Sequence, residues 1–213
     1  MTGEGSRLIY IHVEEASMEE TLKRVVPSII GRRNHAWKVI NHGSKHKLLK
    51  DLPARFTGYA RRIPDENLRV LVLVDRDNED CHKLKARLEI SALKAGLPTK
   101  SSPDSGGHFR VVNRIVIEEL EAWFFGDIEA VRTAFPALPE TLAKRRDLRY
   151  SDSIKGGTWE KFRDLLQKAG YYRGSPTLPK CEVARRIAPH MNQKGNASPS
   201  FNHFVSGLEA LCD

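Results

Sequence analysis

The sequence predicts an α/β fold with a Rossmann-like parallel sheet flanked by helices, followed by a helical C-terminal part. Short apolar, β-branched runs alternate four times with helical patterns across residues 1–126, and such alternation is typical of right-handed βαβ units. The third run, Leu68 to Val74, is almost continuously apolar, as expected for a strand covered by helices on both faces. After residue 126, turn signals separate helical segments and no convincing strand remains.

Two strand–helix pairs are predicted in the first part of the chain. Leu8 to Val13 is a short run of apolar, β-branched and aromatic residues, typical of a buried strand. In the helix that follows, Ser17 and Glu20 have the Ser-x-x-Glu spacing of a capping box. Trp37 to Ile40 is predicted as the second strand, and Leu48 to Ala60 as the second helix.

Two further pairs complete the α/β region. A helix from about Glu79 to Ala95 is predicted after the third strand, and Gly96 ends it. The fourth strand, Phe109 to Ile117, leads directly into a helix at Glu118 to Phe125. The aromatic side chains of that last helix are predicted to lie in the core rather than to form a base-stacking surface.

We therefore predict an α/β domain of residues 1–126 with a helical C-terminal part, residues 127–213, packed on it. Within the helical part, Asp127 and Thr158 precede helical patterns. Their side-chain oxygens can accept hydrogen bonds from the free N–H groups of a first helical turn, so both are predicted N-caps.

Composition narrows the classes of function and location. The net charge of +8 and the pI of about 9.5 favour a polyanionic partner. The three cysteines lie far apart, which argues against a disulfide framework and fits a reducing cytoplasm. Val70 to Val74, the most apolar stretch, is far shorter than the roughly 20 residues of a membrane helix. The N-terminus lacks a signal-peptide pattern, so we expect a cytoplasmic protein without a membrane partner.

The positive charge is concentrated in short clusters. For any one cluster, a solvated helix face is the more ordinary interpretation, but the overall excess favours nucleic acid as the partner. The clusters are Arg32–Arg33, Lys45–Lys47 with Lys50, Arg61–Arg62, Lys144–Arg146 with Arg149, and Arg185–Arg186.

Acidic side chains follow three of the predicted strands. Glu14 and Glu15 follow the first strand, Asp75 and Asp77 follow the third, and three glutamates follow the fourth. Ligands of parallel α/β sheets bind outside the carboxyl ends of the strands. Carboxylates grouped there repel one another, and Mg²⁺ or Mn²⁺ would relieve the repulsion because these ions favour carboxylate oxygen. We therefore predict a divalent-metal site, with ordinary caps and turns as the alternative.

The third acidic group consists of Glu118, Glu119 and Glu121. On a helix, Glu118 and Glu121 share a face because they are three residues apart, whereas Glu119 lies elsewhere. Glu118 is our first candidate for a second metal, and Glu121 is a secondary candidate. Alternatively, the three glutamates position neighbouring helices.

These features resemble the Toprim domain of topoisomerases, primases and overcoming-lysogenization-defect (OLD) nucleases. Glu14 matches the Toprim glutamate, and Asp75 with Asp77 matches its Asp-x-Asp pair. A Toprim-like family of unknown function is more similar still, over almost the whole chain. Its resembling segments are VEEASMEETL (13–22), LPARFTGYARRIP (52–64), LVLVDRDNEDC (71–81), IEELEAWFFGD (117–127), GGTWEK (156–161) and IAPHMNQKGNASPSF (187–201).

The resemblance implies a Toprim-like fold and a nuclease that depends on Mg²⁺ or Mn²⁺. Glu14, Asp75 and Asp77 would hold the metal and take part in catalysis, with Glu14 alternatively acting as a general acid or base. Toprim domains normally have a glycine after the glutamate, and Glu15 stands there instead, so Glu15 either adds a ligand or faces solvent. Members of the similar family often lie beside ATPase genes in phage-defence and mobile-element loci, which implies a partner ATPase.

A cation close to the acids would stabilise charge in the transition state. Lys100, in the polar loop before the fourth strand, is the first candidate, and Lys45 and Arg76 are secondary candidates. For each of them, ordinary surface charge is the more common role.

The leading prediction is therefore a metal-dependent phosphodiester hydrolase acting on nucleic acid, DNA rather than RNA, in phage or mobile-element defence with a partner ATPase. The alternative is a non-catalytic Toprim-like subunit that binds metal or a partner protein without cleaving. Self-association stays open. A haloacid-dehalogenase-type phosphatase would need its aspartate on the first strand, and a response-regulator receiver would not explain Asp77. A glycosyltransferase Asp-x-Asp site has no accompanying nucleotide-binding feature.

Overall fold

The structure is a computed structural model that describes residues 6–63 and 66–213. Residues 1–5 belong to the N-terminal stretch where the sequence predicts no signal peptide, and residue 64 ends the resembling segment 52–64. Both lie outside the described residues. Across the described ranges, no helix is both long and apolar enough to cross a membrane.

The centre of the fold is an all-parallel sheet of four strands, as counted over the described residues, in the order β2-β1-β3-β4. The prediction of an α/β fold with a Rossmann-like parallel sheet is confirmed. All carboxyl ends lie at one edge, where Val13 is in register with Asn41 and Asp75 with Val116. The strands are β1 (Leu8–Val13), β2 (Ala36–Asn41), β3 (Leu68–Asp75) and β4 (Val111–Val116).

Helices cover both faces of the sheet, and residues 127–213 contain helices and short 3-10 turns without a strand. The 3-10 turns lie at Glu140–Lys144, Arg146–Leu148, Ser151–Ser153 and Ala188–His190. The helices are α1 (Ala16–Ile30), α2 (Lys45–Arg62), α3 (Cys81–Lys94), α4 (Glu121–Phe125), α5 (Ile128–Ala134), α6 (Thr158–Lys168), α7 (Lys180–Ile187) and α8 (Pro199–Cys212).

Strand β3 shows how the core is divided between the two faces. Val70, Val72 and Val74 pack among apolar residues of α2 and α3. Leu71 and Leu73 pack with α1 and with the helices of the C-terminal part. All five side chains are at most 1% exposed, so the predicted burial of this strand on both faces is confirmed. The C-terminal helices share one apolar cluster with the sheet.

Two predicted N-caps are wrong because each helix begins at a different residue. Glu15 is the N-cap of α1, and Ser17 lies inside the helix, where its hydroxyl donates to the Glu15 carboxylate. The capping box of Ser17 and Glu20 therefore does not form. Thr158 is the first residue of α6, and Gly157 occupies the cap position.

The predicted cap at Asp127 is confirmed. Its carboxylate accepts a hydrogen bond of 3.1 Å from the backbone N–H of Ala130, in the first turn of α5. The other carboxylate oxygen accepts from the backbone N–H of Asn192 at 2.6 Å. Asp127 thus joins the start of α5 to the segment before α8.

A candidate acidic site at the carboxyl edge of the sheet

Glu14 and Asp75 lie together at the carboxyl ends of the neighbouring strands β1 and β3. The backbone N–H of Asp75 donates to Glu14 Oε1 at 2.5 Å. Glu14 is 9% exposed and Asp75 7%. Parallel pairing of β1 with β3 thus brings the two predicted site residues into direct contact.

Burial disfavours the charged form of both carboxyl groups. It is the largest cause that raises the pKa of Glu14 to about 7, and the charge of Asp77 adds to it, although the hydrogen bond from Asp75 opposes the shift. Burial also raises the pKa of Asp75 well above its ordinary value, and the charge of Glu14 adds to it. Asp75 Oδ1 is buried without a hydrogen-bond partner. Such an oxygen is costly unless something compensates it.

Glu121, the first residue of α4, extends the acidic group. It is 3% exposed, and its Oε2 is buried without a hydrogen-bond partner. Burial raises the pKa of Glu121 to about 7, and the charge of Glu119 adds to the shift, whereas Lys180 opposes it. The charge of Glu121 in turn contributes to the raised pKa of Asp75, so the two carboxyl groups act on one another.

Lys180, at the start of α7, is the cation that accompanies these acids, and it was not predicted from the sequence. Its Nζ lies 3.7 Å from Glu15 Oε2 and 4.8 Å from the centre of the Trp159 ring. Burial lowers the pKa of Lys180, but the charges of Glu121, Glu15 and Asp75 outweigh burial, so its pKa is raised. Glu15, the departure from the Toprim pattern, therefore faces Lys180.

Lys45 and Asp77 form a more exposed layer of the site. Lys45 Nζ donates to the backbone carbonyls of Asp75 and Arg76, at 2.7 and 3.0 Å. It also contacts Asp77 Oδ2 at 3.0 Å and Glu79 Oε1 at 2.9 Å. The Asp77 side chain is 52% exposed and pairs with Lys45 rather than with Glu14.

Glu118 lies in the bend between β4 and α4, with a φ of 67°, and α4 begins only at Glu121. The prediction that Glu118 and Glu121 share a helix face is therefore wrong. Glu118 forms an ion pair with Arg76. The first candidate for a second metal thus already has a charged partner, while Glu121 is the buried acid with a free oxygen.

Glu119 connects the α/β region to the helical part. Its Oε2 accepts hydrogen bonds of 3.1 Å from the hydroxyl of Thr158 and from the backbone N–H of Trp159, at the start of α6. This contact matches the alternative in which a member of the glutamate trio positions a neighbouring helix.

The placement of Lys100 contradicts its candidacy as the catalytic cation. Its backbone N–H donates to the carbonyl of Val111, at the start of β4. Asp75 is in register with Val116, at the end of the same strand. At a rise of about 3.3 Å per residue, the two positions are separated by roughly 16 Å. Lys45 and Lys180 are the lysines that contact the acidic site.

The donors at this edge fit a hard divalent ion in their chemistry, since they are carboxylates and two of their buried oxygens lack partners. Glu14, Asp75 and Glu121 are the residues that could hold it. Over residues 6–63 and 66–213, however, no three Asp, Glu, His or Cys side chains form a ready set of ligands. Binding of such an ion would therefore require side chains at this edge to move.

Comparison with known proteins gives one positive finding. No curated protein and no solved structure matches the chain significantly. A family model described as a domain of unknown function, DUF4276, matches residues 13–209. The matched span includes all the acidic residues of the candidate site. The chain therefore belongs to the DUF4276 family of domains of unknown function.

Proposed function

We propose that this protein is a divalent-metal-dependent phosphodiester hydrolase of Toprim type that acts on nucleic acid. One observation carries the proposal: Glu14, Asp75 and Glu121 are buried at the carboxyl edge with raised pKa values. Two of them also have buried oxygens without partners. Strongly perturbed carboxyl groups concentrate at functional sites, and this edge is where parallel α/β sheets bind ligands.

The resemblance of the strand-end acids to the Toprim pattern supports the choice of reaction. The relation to OLD nucleases, the use of Mg²⁺ or Mn²⁺, the partner ATPase and the role in phage defence all belong to this proposal. The net charge of +8 supports a polyanionic substrate. DNA is preferred to RNA on the basis of the resemblance.

Each side chain has a role that follows from its surroundings. Asp75 and Glu14 would hold a divalent ion at this edge, and the ion would supply an activated water and neutralise charge on the scissile phosphate. The Oδ1 atom of Asp75, which has no hydrogen-bond partner, is available as a ligand. Alternatively, where Glu14 does not hold the ion, its pKa of about 7 suits it to exchange a proton near neutral pH. Lys45 holds the Asp75–Asp77 loop through backbone carbonyls.

Nicking of supercoiled plasmid DNA with Mn²⁺ or Mg²⁺ tests the proposal. We expect Asp75→Asn to abolish nicking, since it keeps the shape of the side chain and removes the charge. Lys100→Ala is the matched control and should nick normally, because Lys100 lies at the opposite edge of the sheet. Nicking that survives in Asp75→Asn would contradict the assignment of the site.

A non-catalytic subunit is the second candidate. Asp77 and Glu118 are already paired with Lys45 and Arg76, which favours an acidic site that serves structure or partner binding. Titration calorimetry with Mn²⁺ and the nicking assay together separate the two candidates. Heat of binding that disappears in Asp75→Asn supports a metal site, and nicking that also disappears in this variant supports the hydrolase. Heat without nicking, or neither heat nor nicking, would favour the non-catalytic subunit.

A further inference from the structure

A surface cavity with a volume of about 490 Å³ lies at the end of α4, beside the 3-10 turns of the helical part. We call it the basic groove. Its apolar floor includes Phe125 and Leu148, which are 2% and 4% exposed. Its walls carry four exposed basic side chains, Lys144, Arg145, Arg146 and Arg149, and two acids, Asp127 and Glu129. Both acids already have partners: Asp127 accepts hydrogen bonds from backbone N–H groups, and Glu129 pairs with Arg132.

Most of this positive charge is not neutralised within the protein. Asp147 is the one acid among residues 144–149, and both Arg145 and Lys161 contact it at 2.6 Å. Within the described part of the chain, Lys144, Arg146 and Arg149 have no carboxylate partner. Arg146 and Arg149 are joined by an i→i+3 backbone hydrogen bond, so their side chains lie on the same side of the turn.

An exposed aromatic ring stands next to these cations. Tyr150 is 70% exposed, more than any other large apolar or aromatic side chain among the described residues. The guanidinium of Arg149 lies 5.8 Å from the centre of its ring. Free cations beside an open aromatic face are the combination with which proteins bind single-stranded nucleic acid, because phosphates pair with the cations and unpaired bases stack on the ring.

Hydrogen bonds to Asp152 hold the segment that follows Tyr150 in place. Asp152 accepts hydrogen bonds from the Ser198 hydroxyl at 2.6 Å and from the backbone N–H of Ser200 at 2.7 Å. Asp152 thereby attaches the turn after Tyr150 to the start of α8. A ring held on a rigid support loses little conformational freedom when a base stacks on it.

We propose that the basic groove and Tyr150 form a binding site for single-stranded nucleic acid, with phosphates on Arg146 and Arg149 and an unpaired base on Tyr150. The groove begins at the last residue of α4, and Glu121 is the first residue of that helix. At 1.5 Å per residue, the helix spans only about 6 Å between them. A strand held in the groove is therefore close to the acidic site. The purpose of binding rests on the proposed function, but binding itself does not.

Fluorescence anisotropy with a labelled mixed-sequence single-stranded oligonucleotide, in EDTA, tests the site without metal or cleavage. We expect tighter binding of the single strand than of the matching duplex, whose bases are already stacked. Tyr150→Ala should weaken binding about tenfold, in the range for loss of one stacked base. Tyr150→Phe should keep the affinity because it keeps the aromatic face.

The double variant Arg146→Ser/Arg149→Ser tests the phosphate contacts. Affinity falls as salt rises, by roughly 0.7 log units per log unit of salt for each phosphate contact with a single strand. Loss of two such contacts should therefore make this dependence shallower by about 1.4. The matched control is Lys83→Ser/Lys94→Ser, which removes two exposed charges from α3 and should leave binding unchanged. Circular dichroism melting establishes that each variant is folded.

Three outcomes would overturn the inference: no binding of the single strand, equal affinity of wild type and Tyr150→Ala, or a preference for duplex or for an acidic polypeptide. The result is separable from that of the proposed function. Binding of the single strand in EDTA, together with no nicking of plasmid DNA in Mn²⁺ or Mg²⁺, supports the groove and contradicts the nuclease. Nicking with unchanged affinity in Tyr150→Ala contradicts the groove alone.

Discussion

Two buried polar clusters begin two residues apart on the chain, at His12 and at Glu14, and they are built in opposite ways. In the histidine cluster, His12 Nδ1 lies 2.9 Å from His42 Nε2, and His12 Nε2 lies 2.9 Å from the Tyr59 hydroxyl. His42 Nδ1 lies 3.1 Å from Asp51 Oδ2. Every ring nitrogen therefore has a partner.

The hydrogen bonds of the histidine cluster can form one consistent chain. Burial is the largest cause that lowers the pKa of His12 to about 3. If Tyr59 donates to His12, His12 donates to His42, and His42 donates to Asp51, each bond has one proton and every ring nitrogen is satisfied. The cluster needs nothing from outside the protein.

The acidic cluster lacks this internal balance. Asp75 Oδ1 and Glu121 Oε2 are buried without partners, and the raised pKa values of Glu14 and Glu121, both about 7, show that their charges are poorly compensated. The histidine cluster is satisfied within the fold, whereas the acidic cluster has buried oxygens without hydrogen-bond partners. This difference makes the acidic cluster the stronger candidate for binding a ligand.

The largest expected effect follows from removing the centre of the satisfied cluster. His12→Ala leaves His42 Nε2 and the Tyr59 hydroxyl buried without partners and opens a cavity. We expect it to lower the free energy of unfolding by about 3–5 kcal/mol, measured by urea denaturation. Tyr59→Phe removes one donor and should cost about 1–2 kcal/mol. If His12→Ala lowered the free energy of unfolding by less than about 1 kcal/mol, the histidine cluster would not be the stabilising element described above.

Removing a charge from the acidic cluster should raise the free energy of unfolding rather than lower it. The pKa of Glu121 is about 7 when folded and 4.5 ordinarily, so the folded state binds more protons between these values and stability falls as pH rises through that window. Glu121→Gln imitates the protonated form. It should stabilise the metal-free protein by up to about 3 kcal/mol at pH 8 and by almost nothing below pH 4.5. Destabilisation at pH 8 would show that the charge of Glu121 is well compensated.

Binding of a divalent ion should compensate the buried carboxylates of the acidic cluster and so stabilise the folded protein. At about 100 times its Kd, Mg²⁺ would stabilise the folded protein by roughly 2.7 kcal/mol, seen as a rise in Tm. The ion competes with protons on Glu14 and Asp75, whose pKa values are raised, so the rise should be larger at pH 8 than at pH 6. It should vanish in Asp75→Asn. A rise of equal size in that variant would place the metal elsewhere.

Local patterns predicted what depends on neighbours in sequence. The alternation of strands and helices and the apolar run of β3 predicted the sheet, and the strand-end position of Glu14 and Asp75 predicted their meeting, because parallel strands end at one edge. The start of α4 was predicted three residues too early, at Glu118, whereas the helix begins at Glu121.

Contacts between distant segments could not be predicted in this way. Lys180 reaches the acids only because α7 packs against α1, and no motif around it signals that packing. The placement of Lys100, by contrast, was predictable, because a loop that precedes β4 leads into the amino end of that strand, at the edge opposite to the acids. Glu118 adopts a φ of 67°, a conformation that is uncommon for residues other than glycine and that the sequence therefore did not predict.

The smallest expected effect on stability is that of substituting Glu119. Glu119 is next to the acidic cluster in sequence, but its carboxylate has hydrogen-bond partners within the protein, as the histidines do. Its carboxylate accepts from Thr158 and from the N–H of Trp159 at the start of α6. Glu119→Ala should lower the free energy of unfolding by about 1 kcal/mol, as for other helix caps, without changing the response to Mg²⁺. Glu119→Gln keeps an acceptor oxygen and should cost less. If Glu119→Ala also abolished the rise in Tm with Mg²⁺, Glu119 would belong to the acidic site rather than to the scaffold.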